Sequence, residues 1–118
     1  MGVYIWKINA RFIAGVPDAW YSGETADIWV EYKYLPAKTT PKSIPVALSP
    51  LQRHWLTSRR QEGRRVAVII GVGKIAFILQ DNDLDLTRLH TEGRKPYTPR
   101  EIAEWIRRET QGHPISPS

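Results

Sequence analysis

The feature that most constrains this chain is a continuous run of β-branched and aliphatic residues, RRVAVIIGV, at positions 64–72. A short run of this composition is typical of a buried strand. It leads through Gly73 and Lys74 into KIAFIL (74–79), which predicts a second strand paired with the first as a hairpin. The apolar run is far too short to cross a bilayer. The chain must therefore bury these strands in a folded core.

Three more strands and two helices are predicted from the rest of the sequence. The strands are VYIWKI (3–8), VPDAWY (16–21) and DIWVEYKYL (27–35), and the helices span 49–63 and 98–110. The first helix has an N-cap residue, a proline at its first position and a capping-box glutamine, which are Ser49, Pro50 and Gln52. We interpret 36–48 and 80–97 as irregular connections. The order β-β-β-α-β-β-α indicates an α/β domain with a mixed sheet flanked by helices.

Length, charge and cysteine content limit the class of protein. The 118 residues suffice for one modest core, so we predict a single domain over 1–112 and a flexible tail over 113–118. The net charge of +5 favours an anionic partner, most commonly nucleic acid, although a basic domain can also simply be soluble. Without cysteine there is no disulfide and no thiolate zinc site. The first residues do not resemble a signal peptide, so we expect a cytoplasmic protein.

The stretch GVPDAWYSGETADIWVEYK (15–33) contains the candidate functional residues. We predict a hairpin around SGET, and alternation along its second strand separates a core-like face from a charged face. The core-like face has Ile28, Val30, Tyr32 and Tyr34, and the charged face has Asp27, Trp29, Glu31 and Lys33. One hairpin register pairs Trp20 with Trp29, which is favourable, and places Asp18 opposite Glu31, which is not.

Two carboxylates at facing positions call for a positive group between them, and hard oxygen ligands suit Mg²⁺. Lys33 lies on the same strand face as Glu31, about 7 Å further along. Carboxylates that hold a divalent cation, with an ammonium beside them, are the groups that phosphodiester hydrolysis requires. The alternative is that Asp18, Glu31 and Lys33 form a solvated face with ordinary salt bridges.

Four segments together make the sequence resemble the VRR-NUC nucleases of the PD-(D/E)xK superfamily. These segments are GVPD (15–18), VEYK (30–33), LSPLQRHWL (48–56) and EGRRVAVI (62–69), and they span about half of the chain. The resemblance implies a restriction-endonuclease-like core and a Mg²⁺-dependent deoxyribonuclease, similar to stand-alone, phage-encoded members. It also implies that Asp18, Glu31 and the Tyr32 backbone carbonyl bind Mg²⁺ or Mn²⁺, that Lys33 is catalytic, and that Gln52 reaches the site.

The chain departs from this pattern before Asp18. Many relatives have a further glutamate on a helix ahead of the first strand, whereas residues 1–17 contain no acidic residue. The alternatives are a weaker site, a site that is complete without this glutamate, or a site that Glu24, Asp27 or a partner subunit completes. The alternative function is a catalytically inactive nuclease fold that binds DNA or a protein partner.

Basic residues are concentrated in the loop and helix that follow this stretch. We predict that they contact the phosphates of duplex or branched DNA, and they are Lys38, Lys42, Arg53, Arg59, Arg60 and Arg64. The five tryptophans and the apolar hairpin at 66–79 exceed what so small a core needs, so we expect a homodimer. GVGK (71–74) has the wrong spacing for a phosphate loop and is interpreted as a turn.

Overall fold

A computed structural model describes residues 3–7 and 15–111 and shows a mixed five-stranded sheet between two helices. The predicted tail and residue 8 of the predicted first strand lie outside these residues. The elements in chain order are β1 (Tyr4–Lys7), β2 (Ala19–Ser22), β3 (Asp27–Leu35), β4 (Ser43–Pro45), α1 (Pro50–Gln61), β5 (Val66–Val72), β6 (Ile75–Leu79), a 3₁₀ helix (Asp81–Asp85), β7 (Arg88–His90) and α2 (Pro99–Gln111).

The sheet has the order β1-β2-β3-β5-β6, in which β3 and β5 are parallel and the other neighbours are antiparallel. The parallel pair needs a crossover, which α1 supplies between the two strands. The predicted mixed sheet flanked by helices is therefore confirmed, as is the hairpin of β5 and β6. Neither helix in the described part of the chain combines the length and apolar composition that crossing a membrane requires.

Alternate residues of β5 face two separate cores, one on each side of the sheet. Val66, Val68 and Ile70 pack with Leu56 of α1, whereas Ala67 and Ile69 face the opposite way. The second core is closed by α2, through Ile102, Trp105 and Ile106. Because both faces of β5 are covered, its sequence is a continuous apolar run rather than an alternating one.

The two faces of β3 differ from the prediction. On the predicted core-like face only Ile28 and Val30 are buried, whereas Tyr32 and Tyr34 are exposed. On the predicted charged face Glu31 is buried and Trp29 is partly buried against the α1-side core. The physical reason is that α2 covers only the first half of this strand, whereas α1 covers the other face. The strand alternates as expected, but burial does not follow hydrophobicity along it.

Two predicted irregular connections contain short regular elements. In 36–48 the three-residue strand β4 pairs with β7 as a separate two-stranded sheet, and 80–97 also contains the 3₁₀ helix. Ile44, Leu84 and Leu89 of these elements are completely or almost completely buried in the α1-side core. The prediction that these connections lack regular structure was wrong, because elements of three to five residues are too short to show periodicity.

Candidate active site

The β2–β3 register brings the two predicted carboxylates together. Trp20 pairs with Trp29 and Ala19 with Val30, so continuing the register by one residue places Asp18 opposite Glu31. The Tyr32 backbone N–H donates to Asp18 Oδ2 at 2.9 Å, which fixes that carboxylate against β3. The predicted hairpin is confirmed, and of the registers that the sequence left open it has the one that pairs Trp20 with Trp29.

Glu31 is a buried carboxylate, with 3% of its surface exposed. Its Oε2 atom lies 3.2 Å from Lys33 Nζ and accepts a hydrogen bond from Gln52 Nε2 at 3.0 Å. Its Oε1 atom is also buried, and no described residue donates a hydrogen bond to it. A buried acceptor without a donor is unusual in a folded protein and indicates a place where a ligand could bind.

The surroundings of Glu31 favour its protonated form. Burial raises the pKa of this carboxyl above its ordinary value, and the nearby Asp18 carboxylate raises the pKa further. The ammonium of Lys33 acts in the opposite direction without cancelling the two. A divalent cation between the carboxylates would offset both the desolvation and the repulsion.

The first turn of α1 supplies Gln52. Ser49 caps the helix by accepting from the Gln52 N–H at 3.1 Å, and Gln52 Oε1 accepts in return from the Ser49 N–H at 3.0 Å. The same Oε1 atom accepts from Lys33 Nζ at 3.1 Å. One side chain therefore completes the capping box and connects both Lys33 and Glu31 to the helix. The sequence predicts Gln52 as the capping-box residue, and the family resemblance separately implies that it reaches the site.

Three tryptophans position α1 on the sheet below these residues. Trp29 lies with its ring centre 5.9 Å from that of Trp20 and 5.1 Å from that of Trp55 on α1. Trp29 is two residues before Glu31, so the cluster lies on the same face of β3. These three rings therefore pack within the chain itself.

The oxygen atoms that could hold a metal ion are those of Asp18, Glu31 and the Tyr32 backbone carbonyl. The described residues contain no group of three or more histidine or acidic side chains that could do so. The set fits a hard divalent cation nevertheless, because it consists of oxygen donors and includes the undonated Glu31 Oε1.

Glu24 and Asp27 do not complete this site. Asp27 pairs with Ser22 at the turn end of the hairpin, where its Oδ1 atom accepts from the Ser22 hydroxyl at 2.8 Å. Asp27 precedes Glu31 by four strand residues, which corresponds to about 13 Å. Glu24 lies in the turn itself, further from the site. The expectation that either residue could supply the missing carboxylate was wrong.

The predicted DNA-contacting arginines are engaged with other parts of the protein. The Arg53 guanidinium donates to the backbone carbonyls of Leu84 and Leu86. Further along α1 and in the loop after it, Arg59 and Arg64 pair with Glu62. Arg60 pairs with Asp81. These last three arginines lie towards the end of α1 that is opposite Gln52; Arg60, for example, is about 12 Å along the helix from Gln52.

The predicted loop lysines differ from the arginines. Lys38 and Lys42 are both exposed, in the connection that follows β3. Because β3 ends at Leu35, two residues after Lys33, Lys38 follows closely after the candidate site in the chain. Arg64 is exposed as well, but its guanidinium pairs with Glu62, whereas Lys38 and Lys42 form no ion pair among the described residues.

Sequence reasoning missed a contact on the opposite face of β3, where the hydroxyl groups of Tyr21 and Tyr32 form a hydrogen bond. Although Tyr32 is 36% exposed as a whole, desolvation of its hydroxyl raises the pKa of that group, and the bond to Tyr21 raises the pKa further, so Tyr32 stays neutral. The register offers a signal for this pair, since Tyr21 is opposite Ile28, four residues before Tyr32. Long tyrosine side chains can span that offset only by leaning along the strand.

Comparisons with known proteins address the fold. No protein-family model and no curated protein matches the sequence. Among solved structures, the Holliday junction resolvase Hjc of the archaeal hyperthermophile Archaeoglobus fulgidus matches with a TM-score of 0.57 and 15% sequence identity. The match covers 89% of this chain and 88% of the resolvase. The VRR-NUC resemblance stays a prediction, and what the comparison shows is that this chain has the fold of the Hjc resolvase.

Proposed function

We propose that this protein is a metal-dependent DNA endonuclease that hydrolyses phosphodiester bonds in branched DNA. The observation that carries the proposal is the buried Glu31 carboxylate, which faces Asp18 and has one oxygen without a donor among the described residues. A purely structural carboxylate in this position would have its acceptors satisfied. Lys33 and Gln52 complete the group within 3.2 Å of Glu31.

Asp18, Glu31 and the Tyr32 carbonyl would hold Mg²⁺ or Mn²⁺. When bound, such a cation supplies charge neutralisation at the scissile phosphate and lowers the pKa of a water molecule. Lys33 directs its ammonium towards the same region, where it can stabilise negative charge that develops on the phosphate oxygens. Gln52 holds Glu31 and Lys33 at hydrogen-bond distance, so that neither needs to reorient during the reaction.

The substrate proposal rests on charge and on the structural neighbour. The net charge of +5 and the exposed Lys38 and Lys42 suit the phosphates of DNA. The structural neighbour from Archaeoglobus fulgidus is a Holliday junction resolvase. For this reason we propose branched or junction DNA, rather than intact duplex, as the substrate. We also propose that the protein acts as a homodimer, because one twofold axis would present two sites to the two strands of a symmetric junction.

A second candidate function is a nuclease fold that binds DNA without cleaving it. It is favoured by one observation, the absence of an acidic residue in 1–17 together with the distance of Glu24 and Asp27 from the site. This candidate shares the fold and the basic charge with the first. It differs in predicting no strand cleavage with any divalent cation.

The test compares cleavage of a labelled four-way junction and of supercoiled plasmid in Mg²⁺, in Mn²⁺ and in a chelator. We expect cleavage only with metal, and a loss of at least about 100-fold in Asp18→Asn, Glu31→Gln and Lys33→Ala. Glu104→Gln, at an exposed position on α2, is the matched control and should cleave like the wild type. Circular dichroism would show that each variant is folded. Undiminished cleavage by any of the three site variants would remove this mechanism.

A further inference from the structure

The end of the sheet next to the candidate active site carries an exposed aromatic ring. Tyr34 follows Lys33 on β3, has 67% of its surface exposed and points to the α2 side of the sheet. Its register partner on β5 is Gly71. A methyl group on Gly71 would lie 3.1 Å from Tyr34 Cδ1, so one edge of the ring lies close to the glycine. The ring thus contacts the sheet along that edge, while most of the surface of Tyr34 remains open to solvent.

Two grooves meet at this ring. One, of about 420 Å³, runs between Tyr34, Ile69 and the start of α2, and Lys33 also lines it. The other, of about 580 Å³, extends from Tyr34 past Lys38 and Thr39. Lys74 lines both grooves. The Lys33 ammonium itself lies on the other face of β3, where it contacts Glu31, so the first groove and the candidate active site are on opposite faces of this strand.

The turn between β5 and β6, which contains Gly73, brings Lys74 to the groove that Lys38 also lines. Gly73 has a φ of +61°, and a methyl group there would lie 2.7 Å from the Ala37 carbonyl oxygen. The turn between β5 and β6 therefore packs closely against the segment after β3, with Lys74 next to Gly73 and Lys38 next to Ala37. Among the described residues that line the two grooves, none is acidic. The charge of this surface is complementary to phosphate.

We propose that Tyr34 stacks an unpaired base of the DNA strand and that Lys38 and Lys74 hold the flanking phosphates, an inference that rests on the proposed nuclease function. A flat ring with an apolar floor suits any base, because every base presents a π-face. The ammonium groups of Lys38 and Lys74 can then bind the phosphates on either side of that base. The subsite would therefore recognise the unpaired nucleotides of a branched substrate without reading their sequence.

The same exposed ring could instead pack against a second copy of the chain. The charges favour DNA, since a twofold contact through this surface would bring the Lys38 and Lys74 side chains of both copies close together without described acidic partners. The two occupants make different predictions for the mass of a Tyr34 variant in solution, and the experiment below distinguishes them.

The test measures binding in a chelator, so that no cleavage occurs. Fluorescence anisotropy compares an oligothymidylate with an abasic oligomer of the same length and phosphate count. We expect the wild type to prefer the thymidine oligomer by about five-fold or more, Tyr34→Ala to lose that preference, and Tyr34→Phe to retain it. Lys74→Ala should weaken binding of both oligomers equally. Arg108→Ala removes one positive charge at the far end of α2 and is the matched control.

Several results would overturn the inference. Equal binding of the two oligomers by the wild type, or an undiminished preference in Tyr34→Ala, would exclude base stacking at this ring. A Tyr34→Ala protein that sediments at a lower mass than the wild type would show that the ring belongs to a subunit interface. The cleavage assay and the binding assay can fail independently. A protein that cleaves no DNA in Mg²⁺ can still prefer the thymidine oligomer, which would refute only the nuclease proposal. A protein that cleaves DNA through Glu31 can lack this preference, which would refute only the stacking subsite.

Discussion

Replacing Glu31 by glutamine should stabilise the metal-free protein, although the residue is placed at the centre of the candidate active site. The wild-type carboxylate is 3% exposed, faces Asp18, and has one oxygen without a donor among the described residues. Glutamine has nearly the same shape and removes the charge. Its side-chain oxygen can still accept from Gln52 and Lys33 in place of Glu31 Oε2. The substitution therefore removes a cost of folding while retaining most of the contacts.

The size of the effect follows from three contributions. A buried acceptor without a donor costs about 1–3 kcal/mol, and glutamine recovers part of this cost because the amide NH2 that replaces Oε1 can donate to the facing Asp18 carboxylate. The hydrogen bonds from Gln52 and Lys33 weaken when their acceptor becomes neutral, by about half of their strength. Lys33 loses its charged partner, but its side chain is 25% exposed and can be hydrated, which avoids the larger penalty of an isolated buried charge. The net stabilisation should be about 1 kcal/mol, or about 4 °C in Tm for a domain of this size.

The stabilisation should depend on pH in a defined direction. Because the pKa of Glu31 is raised in the folded state, its contribution to stability is fully present below the ordinary value of 4.5 and is lost as pH rises through the folded-state pKa. Glu31→Gln should therefore exceed the wild type in stability at neutral pH. Its advantage should shrink as the pH falls towards 4.5, where wild-type Glu31 is protonated.

Urea unfolding followed by circular dichroism, in a chelator at neutral pH and near pH 4.5, measures both quantities. Glu104→Gln is the control for removing an exposed carboxylate. Adding Mn²⁺ should reverse the order, since a cation at ten times its Kd stabilises only the wild type, by about 1.4 kcal/mol. A Glu31→Gln protein less stable than the wild type at neutral pH without metal, or an advantage that does not change with pH, would refute this reasoning.

Three other predictions concern the basic residues and the assembly. Arg53→Leu should destabilise the fold by about 1–3 kcal/mol in urea unfolding, because it leaves the Leu84 and Leu86 carbonyls without their donor. Unchanged stability would show that Arg53 has no structural role, and DNA binding would then be the better explanation for it. The logarithm of the DNA affinity should fall linearly with the logarithm of salt concentration, with a shallower slope in Lys42→Ala; a slope near zero would contradict phosphate binding. Sedimentation at micromolar concentration should show twice the 13.6 kDa chain mass, and the chain mass alone would exclude the homodimer.

The parts of the fold that the sequence predicted are those with a strong local signal. The continuous run of β5 indicates a strand buried on both faces, and the Ser49 to Gln52 capping box marks the start of α1 within one residue. The sequence left the β2–β3 register open, because the favourable Trp20–Trp29 pair comes with the unfavourable Asp18–Glu31 pair; the structure has this register.

The parts that could not be predicted depend on contacts between distant segments. Nothing near Arg53 in the sequence indicates that its guanidinium meets carbonyls more than thirty residues later. Likewise, periodicity assigns Tyr32 and Tyr34 to the core-like face but cannot show where α2 begins to cover that face. Charge runs and apolar stripes predict which side of an element a residue occupies, whereas its burial depends on the element packed against it.

Gln52 shows how a local signal and a distant contact can coincide in one residue. Its amide closes the capping box with Ser49, and the same amide contacts Lys33 and Glu31 on the sheet. The Gln52 amide therefore fixes the position of the start of α1 relative to Glu31 and Lys33. A glutamate at this position could cap the helix equally well, but it would add a third carboxylate beside the buried Glu31. The capping preference alone permits glutamine or glutamate, and the neighbouring charge is what favours glutamine here.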